Sequence, residues 1–288
     1  MKILVFGKNG QLGAEILHEG LKFKHKIIGV TREDVDICNY DQVSKIISKY
    51  EPDVIINTAA MHAAPHSEIY PEELFVINSF AIHNIATITR KKKIKFINYS
   101  TDYVFDGTKG KPYIEGDIPS PLHMYGLSKF TGEIIASNYD ENSITIRTCG
   151  VYGGVSGSRV KGNFVLNMLR EARSAKVIEV SSEQIVSPTY AVDLARATFE
   201  LLDKNPMGGI YHLVNSGYCS WAEFAQEIMN LKKNNVKIKP VDRKGLSGGI
   251  KRPTFSALAN IKAKKLGVEL PSWKNALKRY IEFLPNNI

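Results

Sequence analysis

The sequence has little cysteine: Cys38, Cys149 and Cys219 are widely spaced in 288 residues and form no CxxC pair. A disulfide framework or a zinc ribbon needs closely spaced thiols, so both are excluded and a reducing compartment fits. Long apolar runs are also missing. Ile3–Phe6 stops at Gly7, too short for a signal-peptide core, and no later run approaches a membrane span. There is no internal repeat. With 22 Gly and 12 Pro the chain is far from collagen-like or low-complexity composition. What is left is ordinary globular composition, 43% hydrophobic and 23% charged, in a chain long enough for one large domain or two intimate ones. The expectation is a soluble cytoplasmic protein with no membrane partner.

Acidic residues are scarce at one end. Residues 231–288 carry 14 Lys+Arg against Asp242, Glu269 and Glu282, which is +11; the rest carries 24 basic and 26 acidic residues, which is −2. A basic end can attract nucleic acid or an anionic small molecule, or can simply be a solvated lysine face. Aromatic residues that would stack on bases are sparse there, so no nucleic-acid partner is expected. Arg90–Lys95 is a second basic run, read as a solvated helix end favoured by the macrodipole.

Short apolar runs alternate with stretches of helical spacing. Candidate strands are Ile3–Phe6, Ile27–Val30, Val54–Asn57, Ile94–Tyr99 and Ile144–Arg147. Between them Leu12-Ile16-Leu17, Val43-Ile46-Ile47 and Phe75-Ile82-Ile85-Ile88 recur with helical period. Continuous apolar strands between helices predict a parallel sheet covered on both faces, an α/β doubly wound fold of the Rossmann type. After about residue 150 the texture changes. Gly153, Gly154, Gly157 and Gly162 mark loops, Val165–Ala172 and Trp221–Leu231 read as helices, and Ile210–Val214 as a late strand. Residues 232–260 are polar, with Pro240, Gly245, Gly248, Gly249 and Pro253. The organisation expected is a dinucleotide-binding domain over 1–148 and a smaller C-terminal α/β region over 149–288, with segments at about 186–231 returning to the first.

Four motifs carry chemistry. Gly7-Lys-Asn-Gly10-Gln-Leu-Gly13 follows a strand and opens a helix, the setting in which glycines let backbone approach a pyrophosphate at a helix N-terminus. After the second strand stand Thr31 and Arg32. A single acidic residue there would bind both ribose hydroxyls and favour NAD, whereas Arg32 can pair with a 2′-phosphate and favour NADP, or be a surface arginine. Asp36 and Ile37 would flank the adenine if the chain folds back over the sheet edge. Asn57-Thr-Ala-Ala60 puts small residues at a strand end, leaving room for a dinucleotide. Tyr125-Gly-Leu-Ser-Lys129 opens a helix after Pro119 and Pro121, with Tyr125 and Lys129 at i, i+4 on one face. With 13 Tyr in the chain, the spacing alone says little. Its context says more, because Ser100-Thr101 ends the fourth strand. A hydroxyl, a phenol and an ammonium suit carbonyl reduction. The tyrosine donates a proton once a nearby cation favours its phenolate, and the Thr101 hydroxyl holds the carbonyl oxygen.

The glycine turn, Ser-Thr and YxxxK in this order resemble the extended short-chain dehydrogenase/reductases. Phe6-Gly-Lys-Asn-Gly-Gln-Leu-Gly13, Ser100-Thr-Asp-Tyr-Val-Phe-Asp-Gly107 and Tyr125-Gly-Leu-Ser-Lys-Phe-Thr-Gly-Glu133 narrow the likeness to the dTDP-4-dehydrorhamnose reductase family. Asn163-Phe164, Gln184, Ser187-Pro-Thr-Tyr190, Gly217-Tyr-Cys-Ser-Trp221 and Arg252-Pro253 extend it over nearly the whole chain. The resemblance implies Thr101, Tyr125 and Lys129 as catalytic triad, with Tyr125 the general acid and Lys129 also on the nicotinamide ribose. It implies Gly7, Gly10, Gln11, Leu12 and Gly13 around the pyrophosphate, Asp36 and Ile37 at the adenine, and Ala59, Ala60, Met61 and His62 beside the cofactor. Thr101, Asp102 and Tyr125 would touch the sugar, and the basic C-terminal part would help hold the nucleotide diphosphate. The implied cofactor is NADPH, with NADH as the alternative. The implied substrate is a nucleotide-linked 4-keto-6-deoxy sugar, and a homodimer is compatible with the reading.

Two departures stand out. The family usually carries an aromatic residue, often Trp, in the string matching Arg147-Thr-Cys-Gly-Val-Tyr152, where this chain has Gly150. Pro65 and His66 stand where an Asp-Lys pair is common. His62 and His66 are four apart, but Pro65 lies between them and no third ligand is visible, so no metal is expected. His62 or Cys149 as an extra acid or base for epimerisation has no support from spacing. Reduction of a different nucleotide 4-keto sugar is the neighbouring alternative. A non-catalytic regulatory subunit, similar to that of methionine adenosyltransferase, is the alternative from another class. The intact Thr101, Tyr125 and Lys129 argue against it.

Overall fold

The computed structural model describes residues 1–62, 65–154, 162–242, 246–247 and 249–285. Gly157, Gly245 and Gly248, read above as loop residues, lie outside them. The first half runs β1 (Lys2–Phe6), α1 (Gln11–Lys22), β2 (Lys26–Val30), α2 (Tyr40–Tyr50), β3 (Val54–Asn57), α3 (Pro65–Ile69), α4 (Glu72–Phe75), α5 (Ala81–Lys92), β4 (Lys95–Thr101), α6 (Met124–Tyr139) and β5 (Ile144–Thr148). Then follow β6 (Val151–Tyr152), α7 (Phe164–Glu171), β7 (Val177–Ser181), β8 (Ile185–Val186), β9 (Thr189–Tyr190), α8 (Ala191–Asp203) and β10 (Gly209–His212). The chain continues through β11 (Cys219–Ser220), α9 (Trp221–Leu231), β12 (Lys237–Val241), α10 (Ile261–Lys265) and α11 (Trp273–Phe283).

Six strands form one sheet in the order β10-β5-β4-β3-β1-β2, every pairing parallel. Successive side chains of a strand face opposite ways, and both faces are covered. Leu4, Phe6, Ile55 and Phe96 point to a core completed by Val43 and Ile47 of α2, Ile82 and Ile85 of α5 and Ala136 of α6. Ile3, Val5, Ile56, Ile97 and Ile146 point the other way, against Ile16 of α1, Leu194 and Phe199 of α8 and Ala263 of α10. A third core joins α7, α9 and α11 to the β7–β12 ribbon. This is the α/β doubly wound arrangement expected from the alternating runs.

Strand order reverses between β1 and β3, so their C-terminal ends open the crevice in which such sheets take ligands. Three details differ from expectation. The stretch Phe75–Ile88 is not one helix, because a π-helical turn at Val76–Phe80 separates α4 from α5. Ile94 precedes its strand: Lys93 takes the left-handed conformation that ends α5, and Ile94 donates back to Thr89. The polar stretch 232–260 contains β12, which pairs in parallel with β7.

Candidate active site

The first wall of the crevice is the glycine turn. Gly7 has φ +84°, and a Cβ on it would press on Thr58 and the Ala59 amide. A Cβ on Gly13 would overlap the Gly7 carbonyl oxygen. Only glycine suits either place. Gly10 is the N-cap of α1 and offers no side chain to it. The first amides of the helix, those of Gln11, Leu12 and Gly13, therefore lack a capping side chain. The Gln11 side chain reaches across to donate to the Val151 carbonyl (2.9 Å). Thr58 Oγ1 donates to the Phe6 carbonyl (2.7 Å) and ties the end of β3 to the turn.

At the end of β2, Arg32 is exposed. Asp34 accepts the amide (2.8 Å) and hydroxyl (3.0 Å) of Thr31. Those bonds, with Lys8 also contributing, hold its carboxyl below the usual carboxylate range. Lys8 Nζ lies 3.7 Å from Asp34, so a second cation shares the rim with Arg32. Lys8 carries no signal in the sequence beyond its place between Gly7 and Gly10. Asp36 closes a turn by accepting the Cys38 amide (3.0 Å). Ile37 packs into the core behind α2, and Asn84 Nδ2 donates to the carbonyls of Ile37 (3.3 Å) and Cys38 (3.0 Å).

Ala59, Ala60 and Met61 continue from β3 along the crevice. Asn78 of the π turn clamps the Met61 backbone, accepting its amide and donating to its carbonyl, both at 2.9 Å. The same Nδ2 donates to Ser128 Oγ of α6 (3.0 Å). Asn78 thus fixes the spacing between the β3 loop and the helix that carries Tyr125. His62 is exposed, its ring 6.3 Å from that of Tyr125, while the His66 ring meets that of Tyr70 at a tilt, centroids 4.9 Å apart. No group of three potential metal ligands occurs among the described residues.

The end of β4 and the start of α6 carry Thr101, Tyr125 and Lys129. β4 ends at Thr101, whose Oγ1 accepts the Tyr103 amide (3.2 Å) and so caps the tight turn after it. α6 starts at Met124 because His123 caps it, Nδ1 accepting from the Gly126 amide (3.1 Å). Gly126 is required, since a Cβ there would overlap the Tyr103 carbonyl. The His123 ring stacks on Tyr125, centroids 6.1 Å apart, and Tyr103 meets Tyr125 edge-on. Burial, with the nearby Arg252 charge, pulls the His123 pKa down to about 4. It is neutral at physiological pH.

The Tyr125 phenol lies beside the Thr101 hydroxyl. Burial and the Asp102 charge push the phenol pKa up, and the neighbouring Thr101 hydroxyl pulls the other way. This differs from the expected lowering by the lysine: burial dominates. Lys129 is 4% exposed, and burial lowers its pKa to about 8 while Glu133 opposes the change. Glu133 is itself held by Arg147 of β5 in a bidentate pair, 2.9 and 2.6 Å, with both residues 3% exposed. Lys129 thus sits beside a buried ion pair.

Asp102 does not face the crevice openly. It is 4% exposed; Oδ1 accepts from Thr101 (3.0 Å), and Oδ2 from Ser256 (2.5 Å) and Cys149 Sγ (3.1 Å). Burial raises its pKa against these bonds. One residue on, Gly150 has φ +52°, and a Cβ there would meet the Trp221 indole at 3.0 Å. The space beside residue 150 holds an aromatic surface supplied by α9. Asn78, His123 and Ser256 lie in segments with no motif of their own, whereas Trp221 ends the Gly217–Trp221 string, which by itself does not say that its ring reaches Gly150.

Comparison with known proteins agrees with this fold. The family described as RmlD substrate binding domain matches residues 1–285. The dTDP-4-dehydrorhamnose reductase of Burkholderia thailandensis is 33% identical, over 96% of this chain and 97% of that protein. The spore coat polysaccharide biosynthesis protein SpsK of Bacillus subtilis is 34% identical, over 98% and 97%. The crystal structure of the dTDP-4-dehydrorhamnose reductase of Bacillus anthracis in complex with NADP superposes with a TM-score of 0.92 at 30% identity, covering 98% of this chain and 99% of that one. By sequence and fold alike, the chain belongs to the RmlD substrate binding domain family, that of the dTDP-4-dehydrorhamnose reductases.

Proposed function

We propose that the protein is an NADPH-dependent oxidoreductase that reduces the 4-keto group of a nucleotide-linked 6-deoxy sugar, converting dTDP-4-dehydro-L-rhamnose to dTDP-L-rhamnose. The observation that carries the reading is that Thr101, at the end of β4, lies beside the Tyr125 phenol in the first turn of α6, with Lys129 buried one turn further along the same helix. The chain has the cradle that a dinucleotide needs. The uncapped first turn of α1 would take the pyrophosphate, Arg32 and Lys8 the 2′-phosphate, and Ala59–His62 would line the path to the nicotinamide. When bound, the reduced nicotinamide supplies a hydride to the carbonyl carbon.

The residues of the chain supply the rest. Tyr125 gives its phenolic proton to the carbonyl oxygen, so ketone becomes alcohol and tyrosine becomes phenolate. The Lys129 ammonium stabilises that phenolate, and Thr101 orients the oxygen by donating to it. His123 and Tyr103 pack around the phenol and hold it in place. The Trp221 surface beside Gly150 offers the sugar an apolar face. In this scheme residues 1–148 hold the cofactor and 149–288 mainly the sugar nucleotide. The reaction is expected in the cytoplasm. All three cysteines are free thiols, and no helix among the described residues is long and apolar enough to cross a membrane.

The test is NADPH oxidation, followed by absorbance, with dTDP-4-dehydro-L-rhamnose as substrate and with Tyr125→Phe in parallel. Tyr125→Phe is expected to bind NADPH as the parent does and to lose about 10²–10⁴-fold in kcat, the range of general acid–base catalysis. Equal turnover by the variant would remove Tyr125 from the mechanism. Tight NADPH binding with no turnover of this sugar would favour a different nucleotide 4-keto sugar or a regulatory subunit.

A further inference from the structure

Asp102 is a buried carboxylate surrounded by hydroxyls and a thiol. The titratable groups facing it are Cys149 from the β5–β6 connection, Tyr125 from α6, and its neighbour Tyr103, with Arg252 5.8 Å over the Tyr103 ring. Thr101 has one proton to donate. That hydroxyl donates to Asp102 Oδ1 (3.0 Å), accepts the Tyr103 amide and meets the Tyr125 phenol. In reduction the same hydroxyl has to donate to the carbonyl oxygen, and it cannot donate in both directions at once.

The protonation state of Asp102 decides between them. An ionised carboxylate only accepts, so it draws the Thr101 proton inward. A protonated Asp102 has a proton to give. Its Oδ2 already receives Ser256 and Cys149, which leaves the acid proton on Oδ1, facing Thr101. Thr101 then accepts from Asp102 and turns its own proton outward, to the carbonyl oxygen and afterwards to the phenolate. We propose that Asp102 is a positioning residue whose protonation sets the direction of the Thr101 hydroxyl, the protonated acid giving the active arrangement and the carboxylate the idle one. No proton leaves this pair for the substrate; Tyr125 remains the donor. Burial works in the same direction, because it holds Asp102 towards its neutral form. The inference rests on the reductase reading above.

The experiment pairs kcat–pH profiles with infrared difference spectra of the carboxylic acid carbonyl band, for the wild type, Asp102→Asn and Ser256→Ala. In Asp102→Asn the amide oxygen can accept from Ser256 and Cys149 while the NH₂ donates to Thr101, which imitates the protonated acid at every pH. The wild type is expected to lose activity as Asp102 ionises, separately from the fall set by Lys129. Asp102→Asn is expected to lack that first fall, so relative to its own maximum it exceeds the wild type by about tenfold one pH unit beyond the Asp102 midpoint. Ser256→Ala removes a donor that stabilises the carboxylate, so the fall moves to higher pH. The acid band should be present in the wild type, absent in Asp102→Asn, and should fade over the same pH range as kcat. Unchanged profile shapes in both variants, with only the amplitude lowered, would leave Asp102 a merely structural role and overturn the proposal. So would a wild type with no Asp102-dependent acid band at any pH. If the wild type does not turn the sugar over, the reductase reading fails, and the band with its Ser256→Ala shift still decides whether Asp102 titrates as proposed.

Discussion

Lys129 shows how one side chain ties burial to chemistry. In the proposed mechanism its ammonium stabilises the Tyr125 phenolate, yet burial makes the charge costly and brings its pKa down to about 8. The sign follows directly. The charged form is complete below that value and is lost as pH rises through it, so kcat is expected to fall above pH about 8. Lys129→Arg keeps a charge that does not titrate. Whatever its amplitude, its kcat–pH profile should lack the fall near 8; persistence of that fall would assign it to another group. Arg32 poses a different question, because it is exposed and works only if a 2′-phosphate is there to meet it. Arg32→Ala is expected to raise KM for NADPH about tenfold relative to KM for NADH, roughly 1.4 kcal/mol. An unchanged ratio in steady-state assays would move the preference to Lys8.

The π turn between α4 and α5 is where an element, and not a residue type, makes the site. One extra residue in that turn breaks the helical register and aims Asn78 inward, where its three hydrogen bonds join the Met61 backbone to Ser128. Asn78→Ala would leave the half-buried Met61 amide and carbonyl without these partners, at a cost of about 1 kcal/mol or somewhat more. A lowered Tm together with a raised KM for NADPH is expected; an unchanged KM would reduce Asn78 to a packing role. This turn also marks the limit of what the sequence makes legible. Buried parallel strands read as apolar runs, so β1 to β5 stand out, and the glycine spacing announces the turn before α1. A π insertion leaves the helical period nearly intact on both sides, so Phe75–Ile88 reads as one helix. β12 alternates lysine with apolar residues and includes Pro240, a pattern that reads as loop because only one side of that short ribbon is buried. Asp102 is legible as part of a motif, but its inward orientation depends on Ser256, which is 154 residues away.

At the scale of the whole molecule, the reaction needs the crevice above the sheet and the third core to keep one geometry. Asp193 of α8, 0% exposed, is a principal link. It accepts from Arg279 of α11 (2.5 Å) and from Asn215 (2.8 Å). Asn215 in turn takes the Tyr190 amide (2.8 Å) and donates to the Pro271 carbonyl (3.0 Å). The remaining basic charge of the C-terminal end contributes less to cohesion. Its pairs Lys239–Glu179, Lys264–Glu269 and Lys278–Glu282 are exposed, and exposed pairs contribute little. Arg279 is different because its partner is buried. Arg279→Met would strip Asp193 of its shortest contact and leave a buried carboxylate with Asn215 and a longer approach from Arg196 (3.7 Å). Breaking a buried pair from one side costs about 3–5 kcal/mol; Arg279 is partly exposed, so the lower part of that range is expected in urea denaturation. The β1–β3 crevice is built mainly from the first half of the chain, with the Val151 carbonyl at its edge, whereas Trp221 belongs to α9 in the third core. The variant should therefore raise KM for the sugar nucleotide while leaving the Kd of NADPH nearly unchanged. Equal weakening of both ligands would mean that Asp193 and Arg279 stabilise the protein as a whole and do not set the distance between the two halves of the site.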